Sequence, residues 1–140
     1  MTMDLQTASV DELFTLARAS EDADAYWACV SQLHARGGER VFKLAEVLCD
    51  SIVPGERCLG ADVLGHLEGF EAQSRPVLRM LLEDDDQPAV LAAAAAGAGF
   101  LCDQEARPRL EELVEHSEVG VRFAALHAIV RLEDAEGASD

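Results

Sequence analysis

Positive charge is what this chain has least of: 11 Lys and Arg stand against 27 Asp and Glu, a formal net charge of −16 over 140 residues. That balance excludes a nucleic-acid backbone as ligand, because such affinity rests on cationic contacts that release counterions. It disfavours anionic membrane surfaces for the same reason. Aromatic residues are also scarce, at 5%, although 49% of the chain is hydrophobic and much of that is alanine. The interior therefore has to come from helices packed closely through small side chains. The most apolar stretch, around the alanines at 92–96, is interrupted by Gly97 and Gly99 and covers only about a dozen residues, too few to span a bilayer. The N-terminus has no charged region leading into an apolar core, so the chain is read as cytoplasmic.

Motifs for chemistry are missing as well. The four cysteines, Cys29, Cys49, Cys58 and Cys102, form no CxxC pair and read as buried, reduced thiols. There is no nucleophile elbow and no glycine-rich phosphate loop after a strand. The nearest approach to a metal site is Asp62 with His66, one helical turn apart, with His34 or His127 as the only helpers. Two ligands on one helix arise commonly by chance, so no metal, cofactor or catalytic residue is expected.

What the chain does have is self-similarity. Segments beginning at Ala25 (AYWACVSQLHAR), Glu56 (ERCLGADVLGHL), Val90 (VLAAAAAGAGFL) and Val121 (VRFAALHAIVRL) align without gaps at spacings of 31, 34 and 31 residues. A period of that length means stacked helical units. The fifth position reads Cys29, Gly60, Ala94 and Ala125, all small enough for a neighbouring helix to approach, and the ninth reads Leu33, Leu64, Ala98 and Ile129, a core position. Between the copies lies a second family of segments beginning at Arg40, Arg75 and Arg107, so each unit is a helix pair. Pro76 and Pro108 are read as helix starts, where a missing N–H costs nothing. Ser9 with Glu12 is a capping box that opens the first helix. The expected pairs are 9–19 with 24–36, 39–51 with 55–68, 75–84 with 88–101, and 106–116 with 119–133. Residues 1–133 are read as one domain, and 134–140 as an acidic, disordered tail.

The pattern V-R-x-A-A-x-x-A-L-x-x-L after an acidic or proline-bearing turn resembles the HEAT-like repeat, in the short form also found in phycobilin lyases. Its nearest copy here is Val121-Arg122-Phe123-Ala124-Ala125-Leu126. The run from Asp24 to Leu67 is similar to bacterial HEAT-repeat proteins of high-GC organisms. The resemblance implies an all-α fold, a right-handed α-solenoid of about four helix pairs. The arginine expected at the second position is present as Arg57 and Arg122 but is Tyr26 and Leu91 in the other copies, which weakens a continuous Asp-Arg ladder along the turns. HEAT-repeat iron hydroxylases rely on repeated His-Glu dipeptides, whereas the histidines here are followed by Ala35, Leu67, Ser117 and Ala128.

With the core centred on positions 1, 5, 8, 9 and 12 of each copy, positions 3, 6, 7 and 10 should point away from it. Those positions hold sixteen residues of which one, Asp62, carries a full charge. In a solenoid these second helices line the concave surface, so an apolar groove with an acidic rim is expected there. Its candidate partner-binding residues are Trp27, Val30, His34, Asp62, Ala92, Ala96, Phe123, Leu126 and His127, with an Ala/Gly floor at the third copy and aromatic walls at Trp27 and Phe123. The function read from this is a non-catalytic module that holds a protein or peptide partner, a basic one suiting the charge. Two alternatives stand beside it: a cognate immunity protein that neutralises a basic toxin, and a chromophore-lyase-like or other enzyme-associated protein. The fourth copy carries Val121, Ala125, Ala128, Ile129 and Leu132 with no further helix expected to cover them. Either the acidic tail folds back, which its composition disfavours, or residues 106–132 form an isologous homodimer.

Overall fold

The computed structural model describes residues 4–138. Among them are eight helices: α1 (Val10–Ala19), α2 (Ala23–Arg36), α3 (Glu39–Cys49), α4 (Pro54–Leu64), α5 (Glu71–Asp84), α6 (Pro88–Phe100), α7 (Arg107–Leu113) and α8 (Val119–Ala138), with one 3-10 turn at Gln104–Ala106. They form four antiparallel-connected pairs, and the second helices stack in the order α2, α4, α6, α8. Among the described residues the expected all-helical array is therefore what forms.

Local sequence accounts for most boundaries. Ser9 Oγ accepts from the Glu12 N–H at 3.1 Å and Glu12 Oε1 accepts from the Ser9 N–H at 2.9 Å, the reciprocal cap expected from their spacing. Gly37 and Gly38 take φ of 60° and 90°, which lets the chain reverse between α2 and α3. Pro54 and Pro88 open α4 and α6, and Pro108 sits in the first turn of α7.

Pro76 is the exception. Helix α5 begins at Glu71, so this proline lies inside it rather than at its start. The helix opens earlier, at Glu71, whose carboxylate accepts from the Gly69 N–H of the preceding turn at 3.1 Å, and no side chain caps it. Pro76 then gives up only the bond its N–H would make one turn back. At the other end of the chain α8 runs through Ala138, so residues 134–138 continue a helix where a disordered tail was expected; residues 139–140 lie outside the described residues. The Arg107 guanidinium reaches Glu133 at 3.0 Å and Glu136 at 3.5 Å, tying that extension to α7.

The core is built from leucine and alanine, with Leu13, Leu33, Leu59, Leu64, Leu78, Leu91, Leu110 and Leu132 essentially fully buried. Small residues set the spacing. A Cβ on Gly60 would stand 2.6 Å from the Ala45 carbonyl oxygen, so α3 and α4 meet backbone to backbone at the fifth position. Between neighbouring second helices, a Cβ on Gly99 of α6 would stand 2.7 Å from the Ala128 Cα of α8.

Polar ties join one pair to the next. Arg57 Nε donates to Asp85 at 2.6 Å, with the two side chains only 16% and 5% exposed. Burial pushes the Asp85 carboxyl up, but bonds from Arg57 and from the Gln87 backbone N–H outweigh it and hold it below its ordinary range. Arg122, at the same second position in the last copy, donates to the His116 and Ser117 carbonyls. Where the first copy has Tyr26 instead, the phenol donates to Asp62, and Leu91 in the third copy is buried in the core. At the second position an Asp-Arg tie is thus made at Arg57 alone, Arg122 bonding backbone carbonyls within its own pair, so no continuous ladder runs along the turns.

Candidate protein-binding face

The second helices present three rows of residues, at positions 3, 7 and 11 of each copy. Position 3 supplies Trp27, Cys58, Ala92 and Phe123; position 7 supplies Ser31, Asp62, Ala96 and His127; position 11 supplies Ala35, His66, Phe100 and Arg131. All twelve are exposed or half-buried, and the spacing of four residues keeps them on one side of each helix. Trp27 is 49% exposed and Phe123 is 61% exposed, large values for aromatic side chains.

Of the nine residues expected on this face, Trp27, Asp62, Ala92, Ala96, Phe123 and His127 stand in these rows. Val30 does not. It is fully buried, as are Ala61 and Ala95 at the same sixth position. The sixth and tenth positions face the next second helix in the stack rather than open space, which is why position 10 holds Gly65 and Gly99, both buried. Leu126, expected on the face, and Val130 occupy positions 6 and 10 of α8, and both are exposed because no second helix follows among the described residues. His34, at position 10 of the first copy, is half-buried between α2 and α4, with Nε2 3.0 Å from the Val63 carbonyl oxygen and 3.1 Å from that of Asp62. It bridges the two helices instead of lining the surface.

The row at position 11 was missed by the sequence reading, and it carries the strongest side-chain contacts on the face. The His66 and Phe100 ring centroids are 3.9 Å apart, and the Arg131 guanidinium lies 4.1 Å above the Phe100 ring. His34 stands 5.3 Å from His66 and extends this ladder to the first pair. Four-residue spacing from Asp62, Ala96 and His127 would have identified these residues. Arg131 and Asp62 make the face less uniformly apolar than expected, so the surface is an alanine floor with aromatic and imidazole features and one charged side chain of each sign.

Two shallow depressions share Phe100 as a divider. One, of about 60 Å³, lies between Trp27, Asp62, His66 and Ala96; the other, of about 160 Å³, lies between Ala96, Phe123, His127 and Arg131. Burial pushes the Asp62 carboxyl up to about 6, opposed by the bond from Tyr26. Burial also raises the Cys58 thiol to about 11, reinforced by the nearby Asp62 charge. Burial lowers the His66 imidazole, and the His34 and Arg131 charges add to that shift. No group of three or more His, Cys, Asp or Glu side chains among the described residues is placed to hold a metal ion. No described helix is long and apolar enough to cross a membrane.

Residues 75–140 match the family model described as HEAT repeats. No curated protein sequence matches the chain. Among solved structures, the Escherichia coli protein YIBA_ECOLI superposes with a TM-score of 0.81 at 21% identity, covering 91% of this chain and 50% of that one. Human deoxyhypusine hydroxylase, in complex with glycerol, superposes with a TM-score of 0.63 at 19% identity, covering 90% of this chain and 44% of that one. The chain thus spans about half the length of the structures it resembles. At these identities the structures speak for the helical fold alone, and the match to HEAT repeats covers residues 75–140.

Proposed function

We propose that this HEAT-like repeat protein is a non-catalytic binding module whose second-helix face holds a protein or peptide partner. The observation that carries the reading is the exposure of Trp27 and Phe123 on one continuous face, joined by an alanine floor and the His66-Phe100-Arg131 ladder. Solvent-exposed aromatics grouped in this way favour association, because a partner that covers them removes apolar area from water and Trp and Arg are frequent anchors of binding energy. Asp62 and Arg131 give the face one acceptor and one donor of fixed position to orient a bound segment. The absence of His-Glu dipeptides favours binding over iron-dependent hydroxylation.

The test is capture of a partner by the full chain from lysate of the source cell, compared with Trp27→Ala and Phe123→Ala. Each substitution is expected to weaken capture by about 1–4 kcal/mol while leaving the melting temperature nearly unchanged. A loss of several kcal/mol of stability on truncation, as for a buried aromatic, with capture following stability, would remove the reading.

A further inference from the structure

A different surface of the molecule, on the outer helices, has the form of a second binding site. Helices α3 and α5 meet near their N-terminal ends, where Phe42 stacks on Phe70 with ring centroids 5.1 Å apart and planes 10° from parallel. Toward their C-terminal ends a depression of about 450 Å³ opens between them. Val47 and Met80 stand on its two sides, 68% and 62% exposed, with Val77 and Leu81 deeper in. Around this apolar floor stand Glu46, Asp50, Asp84 and Asp85.

The charges are one-sided. The single cation at the depression is Arg57, and it is committed to Asp85 at 2.6 Å and to the Ser51 carbonyl at 2.9 Å. Glu46, Asp50 and Asp84 make no ion pair among the described residues. Neither α3 nor α5 has a basic residue in its last turn, so the partial negative charges of two helix ends add to the carboxylates. An anion is repelled from such a place. A free amine would satisfy the carboxylates but leave Val47 and Met80 in water.

We infer that the depression between α3 and α5 binds a basic segment of a partner protein, one that sets an apolar side chain between Val47 and Met80 and places flanking Lys or Arg against Glu46, Asp50 and Asp84. The volume suits one or two side chains, in the range of ordinary ligand sites. Met80 is unbranched and polarizable, so it can adjust to the inserted group. The aliphatic stems of Lys and Arg add apolar contact along the walls while their heads reach the rim. This surface is separate from the Trp27 and Phe123 face, so the two can be occupied together.

The experiment uses the full chain and a fluorescent amphipathic peptide of about 15 residues composed of Lys, Leu and Ala, titrated at moderate salt. Asp50→Lys with Asp84→Lys should weaken binding by about tenfold or more. Glu115→Lys with Glu118→Lys, which changes net charge equally in the loop before α8, should weaken it far less. Met80→Ser should also weaken binding, with the thermal melt unchanged because the side chain is exposed, and Trp27→Ala should leave it intact. Equal losses in the two charge-reversal pairs would overturn the inference, since net charge alone would then explain binding. So would indifference to Met80→Ser, loss on Trp27→Ala, or no binding by the unaltered chain.

Discussion

Gly65, which closes α4, and Gly97 of α6 cross so closely that a Cβ on the first would stand 3.0 Å from the Cα of the second. They occupy positions 10 and 8 of successive copies, the same relation that Gly99 has to Ala128 and His34 to Val63. One geometric rule therefore governs each step of the stack, and the residue at position 10 sets how near the next helix can come.

Substitution at these crossings should cost stability in proportion to what the new side chain meets. Gly99→Ala would place a carbon 2.7 Å from the Ala128 Cα, which belongs to backbone and cannot step aside. A loss of about 1–3 kcal/mol is expected in chemical denaturation. Gly120→Ala, where nothing lies within 4 Å, should be neutral or add about 0.5–1 kcal/mol because helix entropy improves. Equal behaviour of the two variants would contradict the packing described.

Asp62 should make the protein less stable as it ionises. Burial pushes its folded carboxyl up to about 6, above the ordinary aspartate range, so the folded state holds the extra proton and stability falls as pH rises through that window. Asp62→Asn keeps an oxygen to accept from Tyr26 and removes the charge. It is expected to gain on the order of 1 kcal/mol over the parent at pH 7.5 and to lose that advantage at pH 4. Denaturation at both pH values decides it.

Asp85 should behave in the opposite sense. Its carboxyl is held below 3.8, so its contribution is present above that value and is lost as pH falls through the folded one. Asp85→Ala leaves Arg57 without its partner and should cost about 2–4 kcal/mol near neutrality, since both side chains are largely buried. Melting curves taken from pH 7 to 3 should converge between parent and variant in acid.

The cysteines should separate by reactivity. Cys102 is exposed, whereas burial pushes the Cys49 thiol up to about 12 and Cys29 is also buried. A thiol reagent at pH 8 is expected to modify Cys102 first, with Cys29 and Cys49 following only on unfolding. Early labelling of Cys49, followed by mass spectrometry, would show that α3 opens readily. The exposure of Cys102 and the half-burial of Cys58 correct the reading of all four as buried.

The repeat, the helix pairing and the small fifth position were legible because each repeats one constraint four times. Gly60 shows the constraint itself, since nothing larger fits under Ala45 and Cys49. The error at Val30 and the neglect of His66, Phe100 and Arg131 share one cause. Periodicity along one helix locates the side that meets its own partner, but a second helix in a stack is also covered on its flank, and the flank carries no separate period. The glycines at 65 and 99 were the available sign, since exposed positions have no need to lack a side chain. Pro76 misled for a simpler reason: a proline marks a start only when the helix does not already begin upstream, and α5 begins at Glu71.

The crossings also decide how the molecule would yield to a load. Gly65, Gly97 and Gly99 hold α4, α6 and α8 in intimate register, whereas His34 acts as a spacer at the first crossing and keeps α2 on two hydrogen-bonding contacts. Pulled from its ends, the chain should release α1 and α2 first, as a short early extension, and give up the glycine-locked remainder together at higher force. Relaxed again, it should rebuild from that remainder outward, with the first pair docking last onto a finished surface.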